Sequence, residues 1–226
     1  RRDILYTKLQ ILGFPFELCK LLHYIFSNIT FIIKSGTMLT EKFTTFIGLP
    51  QGDPLSPVLF SLFTYDLPAC LPHLGPILHG IGIPYIMYAD DLAIIAESPE
   101  ELQAAINALV LYCNVNGLTI NARKSQCMMF YKGRPPKCTF NINNTPLELV
   151  TNFVYLGFTF STQLSFSKHL NTVTTKANSR CGILMARLPL KELQLELVLR
   201  VFDCYVLPIF RYGLPLWIGS CSEATR

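Results

Sequence analysis

The stretch from Ile83 to Leu118 constrains the fold most: an apolar run, broken by two adjacent aspartates, leads directly into a strongly signalled helix. The segments Tyr85–Ala89 and Leu92–Ala96 flank Asp90-Asp91, and the pattern predicts a β-hairpin with both aspartates at its tip. In "SPEELQAAINALVLYCNVNGL", Ser98 is placed as N-cap, Pro99 at the first helical position and Glu101 to close a capping box. Leu102, Ala105, Ile106, Leu109 and Cys113 make an inner stripe, and Gly117 stands where a C-terminal cap belongs.

Two-residue hairpin loops favour Asn-Gly or Asp-Gly, because their turns need positive φ. Asp-Asp is a poor choice on that ground, and like charges so close raise one another's pKa unless something positive intervenes. A divalent cation removes the conflict, since hard carboxylate oxygens suit Mg²⁺. A merely solvated hairpin tip is the alternative, and "YADD" by itself does not separate the two. Upstream lies "GLPQGDPLSPVLFSLFTYDL". Gly52 admits a backbone or a flat ligand closely, and Gln51 offers both donor and acceptor. Pro54 and Pro57 stiffen the approach to a helix that Ser56 caps and Pro68 stops, and a helix N-terminus favours anions such as phosphate. An ordinary Pro/Gly loop before a capped helix is the alternative here.

Elsewhere, Ile4, Leu5, Leu9 and Leu12 share one face of a helix over 3–12 that ends at Gly13, and a second helix is predicted over 16–27. "TFIIKSGTMLTEKFTTFIGL" reads as a hairpin or strand pair, "KSQCMMFY" alternates like a strand, and "KGRPPK" is a basic, proline-rich connector. "TFNINNTPLELV" and "NFVYLGFTF" read as short strands, and everything from about Ser165 is helical. The order implies an α+β domain followed by a helical one.

Half of the 226 residues are hydrophobic and the mean hydropathy is +0.36, so membrane spans need weighing. The run from Ile11 to Ile33 is broken by Glu17, Lys20 and His23, and that from Val198 to Ile218 by Arg200, Asp203, Arg211, Pro208 and Pro215. Neither is the uncharged segment a spanning helix needs, so no membrane partner is expected. An apolar face exposed for docking is expected instead. The eight cysteines form no CxxC pair, no His falls at finger-like spacing and no signal peptide is seen. A reduced intracellular setting, nucleus or cytoplasm, is expected, with the sequons at Asn28 and Asn143 there by chance. A net charge of +4 says little about nucleic acid.

Taken together, "GLPQGDPLSPVLFSLFTYDL" and "YADDLAI" resemble motifs B and C of reverse transcriptases, especially those of non-LTR (LINE-type) retrotransposons. "RRDILYTKLQILGF" resembles the helix after motif A, and "LQAAINALVLYCNVNGLTINARKS" the motif D region, with Lys124 at its lysine. "FVYLGFTF" resembles the stretch leading to the thumb, and "VLRVFDCYVLPIFRYGLPLW" a tail found downstream in these elements.

The resemblance implies a right-hand polymerase palm, an antiparallel ferredoxin-like sheet with helices, followed by an α-helical thumb. Residues 1–46 would be the fingers/palm helices after motif A, 47–163 the palm with motifs B to E, and 164–226 the thumb or connection. It implies RNA-directed DNA synthesis, with an RNA template, a DNA primer, dNTPs and two Mg²⁺ ions. Asp90 would be the principal metal ligand and Asp91 the supporting one. Tyr88 and Ala89 would face the primer terminus, with Gln51, Gly52 and Pro54 beneath the template base and dNTP. Lys124 would approach the triphosphate as a proton donor, or be a solvated lysine at a strand start. Lys176, Arg180 and Arg187, spaced by four and seven on one helical face with Lys168 and His169 before them, would track duplex phosphates or form a solvated basic face. Motif A, with its metal-ligating aspartate, should precede Arg1. The 226 residues alone are therefore expected to catalyse little, and an inactive nucleic-acid-binding remnant is the competing reading. His23, His73 and His79 are assigned no role, and the oligomeric state is left open.

Overall fold

The structure, a computed structural model, describes residues 1–220 apart from 73–74, 132, 134–136 and 190–192. His73 and most of the "KGRPPK" connector lie outside the described residues. Helices α1 (Arg2–Ile11) and α2 (Phe16–Ser27) form where the apolar spacing predicts them, joined by a turn at Gly13 with φ 83°. Four two-residue strands follow: β1 (Thr30–Phe31), β2 (Lys34–Ser35), β3 (Met38–Leu39) and β4 (Phe43–Thr44). They make nested antiparallel pairs, β2 with β3 inside β1 with β4.

The helix predicted from Ser56 to Pro68 is two helices, α3 (Ser56–Phe63) and α4 (Leu67–Cys70). Thr64 ends the first, its hydroxyl donating back to Phe60 O at 3.1 Å, a side-chain bond that competes with the helical ladder. Pro68 opens α4 rather than stopping α3, because a missing N–H is no loss in a first turn. Nor is Ser56 the N-cap. That position is Leu55, and Ser56 Oγ turns back to donate to Pro50 O at 2.8 Å.

Next come β5 (Ile77–Leu78), β6 (Ile81–Gly82), β7 (Tyr85–Tyr88), β8 (Asp91–Ile94) and α5 (Pro99–Asn116). The Ser98 half of the predicted capping box of α5 forms, with Ser98 Oγ accepting from Glu101 N at 3.2 Å. Glu101 Oε2 reaches one residue further than the box requires and accepts from Glu97 N at 3.1 Å. Gly117 closes the helix in the left-handed conformation, φ 65°. The remaining strands are β9 (Gln126–Cys127), β10 (Asn141–Ile142), β11 (Thr145–Pro146), β12 (Glu148–Leu149), β13 (Asn152–Tyr155) and β14 (Phe158–Ser161). The strand expected over "KSQCMMFY" shrinks to β9, which pairs with β12 in parallel rather than antiparallel sense. Helices α6 (Ser167–Arg187), α7 (Leu195–Tyr205), α8 (Leu207–Arg211) and α9 (Leu214–Trp217) complete an α+β chain. Among the described residues every sheet is a two-stranded ladder.

The chain divides into two compact units. The first comprises 1–125 with 138–147. Its core is built from residues at i, i+3 and i, i+4 spacings: Leu5 and Leu9 of α1, Cys19, Leu22 and Phe26 of α2, Leu59 and Phe63 of α3. Leu9 and Phe26 are essentially sealed from solvent, each worth roughly 1.5–3 kcal/mol of transfer free energy. A second cluster joins Leu67 of α4 and Tyr112 and Cys113 of α5 to Tyr85, Met87 and Leu92 of the β7–β8 hairpin. The second unit comprises 126–137 with 148–226. There the β13–β14 hairpin turns through Leu156 and Gly157, both at positive φ, and Phe158 packs with Trp217, Phe166 and Leu170.

Candidate active site

The hairpin geometry begins with alternation. Tyr85, Met87 and Leu92 point into the α4–α5 core, so Ile86, Tyr88 and Asp91 take the outward face. Tyr88 stands directly opposite Asp91 in the ladder, which makes the two-residue loop Ala89-Asp90. The predicted tip was Asp90-Asp91, one residue further on. The pairing of Met87 with Leu92, both needed inward, sets the register and draws Asp91 into the strand. Ala89 takes φ 51°, a left-handed position that glycine normally fills in such loops. Asp90 and Asp91 are exposed neighbours, one on the turn and one on the outward strand face beside an exposed Tyr88. Two adjacent carboxylates held this way suit a hard divalent cation. Among the described residues no group of three or more His, Cys, Asp or Glu is placed to hold a metal ion.

The Gln51-Gly52 turn precedes α3 in the same unit and is exposed. Gly52 needs its φ of 86°, and a Cβ there would meet nothing within 4 Å, so the space above it is open to a flat ligand. Ser56 cinches the turn from inside through Pro50 O, with Asp53 Oδ2 at 3.2 Å, while Pro54 stays exposed. Lys124 is exposed in the turn after α5, with its backbone N–H donating to Asn121 Oδ1 at 3.2 Å.

In the second unit, Lys168, Lys176, Arg180 and Arg187 lie exposed along α6. Arg180 is partly committed: its Nη1 donates to Tyr205 O at 2.8 Å and its guanidinium stacks 4.8 Å from the Tyr205 ring. His169 does not belong to an outward basic stripe. It is 3% exposed, its ring 5.0 Å from that of Phe158 and 6.3 Å from that of Trp217. Thr159 N approaches its Nδ1 at 3.5 Å, and its Nε2 is buried without a partner. Burial, with Lys176 adding repulsion, pushes its pKa below the ordinary value, so the ring is neutral at pH 7.

Sequence reasoning missed two buried cations on α1. Arg2 donates to Gly48 O and Phe26 O, each at 2.8 Å, and to Thr45 Oγ1 at 3.2 Å. Lys8, 6% exposed, donates to Phe63 O at 2.7 Å, Asp66 Oδ1 at 2.6 Å and Tyr112 Oη at 3.1 Å, which occupies its three protons. Tyr112 Oη donates to Asp66 Oδ1 at 2.7 Å. Burial alone would raise the Asp66 pKa, but the bonds from Lys8 and Tyr112 and the Lys8 charge outweigh it and hold the carboxyl below its ordinary value. Burial, then Asp66, drives the Tyr112 phenol far above its ordinary value. The signal was present: Arg2 and Lys8 share the helical face of Leu5 and Leu9, where a cation must find buried partners.

The chain matches the reverse transcriptase (RNA-dependent DNA polymerase) family over residues 3–160. It is 29% identical over 189 residues to a probable RNA-directed DNA polymerase from transposon BS of Drosophila melanogaster, covering 79% of this chain and 21% of that protein. It is 27% identical over 180 residues to the RNA-directed DNA polymerase from mobile element jockey of Drosophila funebris, covering 75% and 19%. Against the probable RNA-directed DNA polymerase from transposon X-element of Drosophila melanogaster it is 25% identical over 204 residues, covering 85% and 22%. The chain thus spans about a fifth of the length of these relatives. No helix among the described residues is long and apolar enough to cross a membrane. The hairpin with its two carboxylates and the Gln51-Gly52 turn both fall inside the matched segment, and the chain belongs to the reverse transcriptase family, of the non-LTR retrotransposon kind.

Proposed function

We propose that this chain is the palm and thumb portion of an RNA-directed DNA polymerase, extending a DNA primer along an RNA template with dNTPs. The observation that carries the reading is the β7–β8 hairpin, which holds Asp90 and Asp91 on its solvent side while Met87 and Leu92 fix it to α4 and α5. Bound Mg²⁺ would supply an activated primer hydroxyl and a stabilised pyrophosphate leaving group. Asp90, on the turn, is the principal ligand, and Asp91, on the strand, the supporting one. Tyr88, opposite Asp91, and Ala89 face the primer terminus. Gln51, Gly52 and Pro54 line the floor beneath the template base and the dNTP, where the open space over Gly52 admits a flat ring. Lys124 donates a proton to the departing pyrophosphate.

In this reading the first unit is palm and the helices of the second are thumb. Lys176 and Arg187, helped by Lys168, track phosphates of the RNA–DNA duplex, giving salt-dependent and sequence-neutral affinity. The third carboxylate of the two-metal site belongs to motif A, upstream of Arg1 in the family pattern. The test is RNA-templated primer extension by the chain lengthened upstream through motif A, beside the double variant Asp90→Ala/Asp91→Ala. Extension that disappears in the variant, with duplex binding kept, supports the reading. A folded, duplex-binding protein that extends nothing replaces it with the binding-remnant reading.

A further inference from the structure

The two cations of α1 hold the segment bearing Gln51 and Gly52 from both sides. Arg2 takes Thr45 Oγ1 and Gly48 O before it, and Lys8 takes Phe63 O and Asp66 after it. The second clamp reaches further, because Tyr112 of α5 bonds to both Lys8 and Asp66. Tyr112 also packs in the cluster that seats Tyr85, Met87 and Leu92 of the aspartate hairpin. One network thus touches the segment that carries the Gln51-Gly52 turn and the helix, α5, against which the Asp90-Asp91 hairpin is seated.

We infer that Lys8, Asp66 and Tyr112 are positioning residues that set the spacing between the Gln51-Gly52 turn and the Asp90-Asp91 hairpin; the catalytic half of this inference rests on the polymerase reading. A purely cohesive role would not need this arrangement. An ion pair with one partner buried, Lys8, and the other half-buried, Asp66, adds little stability over apolar groups of the same size, whereas its directional bonds fix geometry. Lys8 is also boxed in, its Nζ 4.9 Å from the Phe63 ring and 5.0 Å from the Tyr112 ring, so it has one place to sit. Misplacing reacting groups by about 1 Å can cost on the order of a hundredfold in rate, so a loosened brace acts on turnover rather than on binding.

The test uses Lys8→Met/Asp66→Leu, which fills the volume without the charges, and Tyr112→Phe, which removes one hydroxyl and leaves the ion pair. Both are made in the upstream-lengthened chain. Two readouts are taken: steady-state primer extension, and the distance distribution between spin labels on bio-orthogonal residues at the exposed positions Val58 and Ile86. The expected result is a double variant that melts like wild type yet shows a broadened distribution. Its kcat falls about tenfold with KM for dNTP within about twofold, and Tyr112→Phe shows a smaller change of the same kind. A well-folded double variant with wild-type distances and turnover overturns the inference. If the double variant does not fold, unchanged distances in Tyr112→Phe overturn it alone. If wild type itself extends nothing, the polymerase reading fails, and the distances still decide whether the brace exists.

Discussion

Ala89 sits where the hairpin backbone least suits an L-residue, at φ 51° in a two-residue loop. Left-handed backbone costs a side-chain-bearing residue about 1 kcal/mol, which glycine avoids. Ala89→Gly is therefore expected to raise the unfolding free energy by about 1 kcal/mol, read as a higher urea midpoint at unchanged slope. A lower midpoint would mean that the loop conformation is wrong. Gly213 is the converse case. It has φ 60°, and a methyl group there would overlap the Phe158 ring. Gly213→Ala should destabilise the second unit by more than about 2 kcal/mol, combining strain with overpacking.

At the scale of elements, α5 is the best-specified helix, and its start depends on one hydroxyl. Ser98→Ala should cost about 1 kcal/mol of stability by removing the acceptor for Glu101 N, checked by denaturant unfolding, while Ser98→Asp should be near neutral. Helix α6 offers a separable test of its cations. Lys176→Ala should lower the salt slope of RNA–DNA duplex binding by about 0.9, whereas Arg180→Ala should also loosen the contact with Tyr205. Equal effects on stability from the two substitutions would contradict the assignment. Elements were legible wherever a local signal fixed them: the Ser98 cap of α5, the apolar runs on either side of the aspartate pair in β7 and β8, and the apolar spacing of α1 and α2. What was not legible depended on partners distant in sequence. The hairpin register follows from inward Met87 and Leu92, and the partners of Lys8 lie at Phe63, Asp66 and Tyr112. Ser56 has the composition of a cap, but tertiary closure of the loop onto Pro50 takes its hydroxyl. His169 has the spacing of a basic stripe, and only the packing of Phe158 and Trp217 shows that it points inward.

For the whole molecule, acid should act on the two units at different pH. The folded His169 pKa lies below its ordinary 6.5, so below that value the unfolded chain binds more protons than the folded one. The contribution of His169 to the stability of the second unit is full above about pH 6.5 and is lost as pH falls towards the folded pKa. The first unit holds Asp66 below its ordinary 3.8, so its corresponding loss waits until still more acid conditions. The sole tryptophan, Trp217, lies beside His169 and reports on the second unit. Its fluorescence-detected unfolding midpoint should fall between pH 7 and pH 5 in wild type, and His169→Asn, which keeps an acceptor near Nδ1, should flatten that dependence.

The central claim is that the β7–β8 hairpin is the metal-binding edge of a polymerase. The most direct measurement is the rate of RNA-templated primer extension by the upstream-lengthened chain and its Asp90→Asn variant across a range of Mg²⁺ concentrations. Removing the principal carboxylate of a two-metal site should lower the rate by at least about a hundredfold, with no recovery at high Mg²⁺ and duplex affinity unchanged. A variant that extends within twofold of wild type would contradict the account, because the pair of aspartates would then be ornament on a hairpin whose chemistry lies elsewhere.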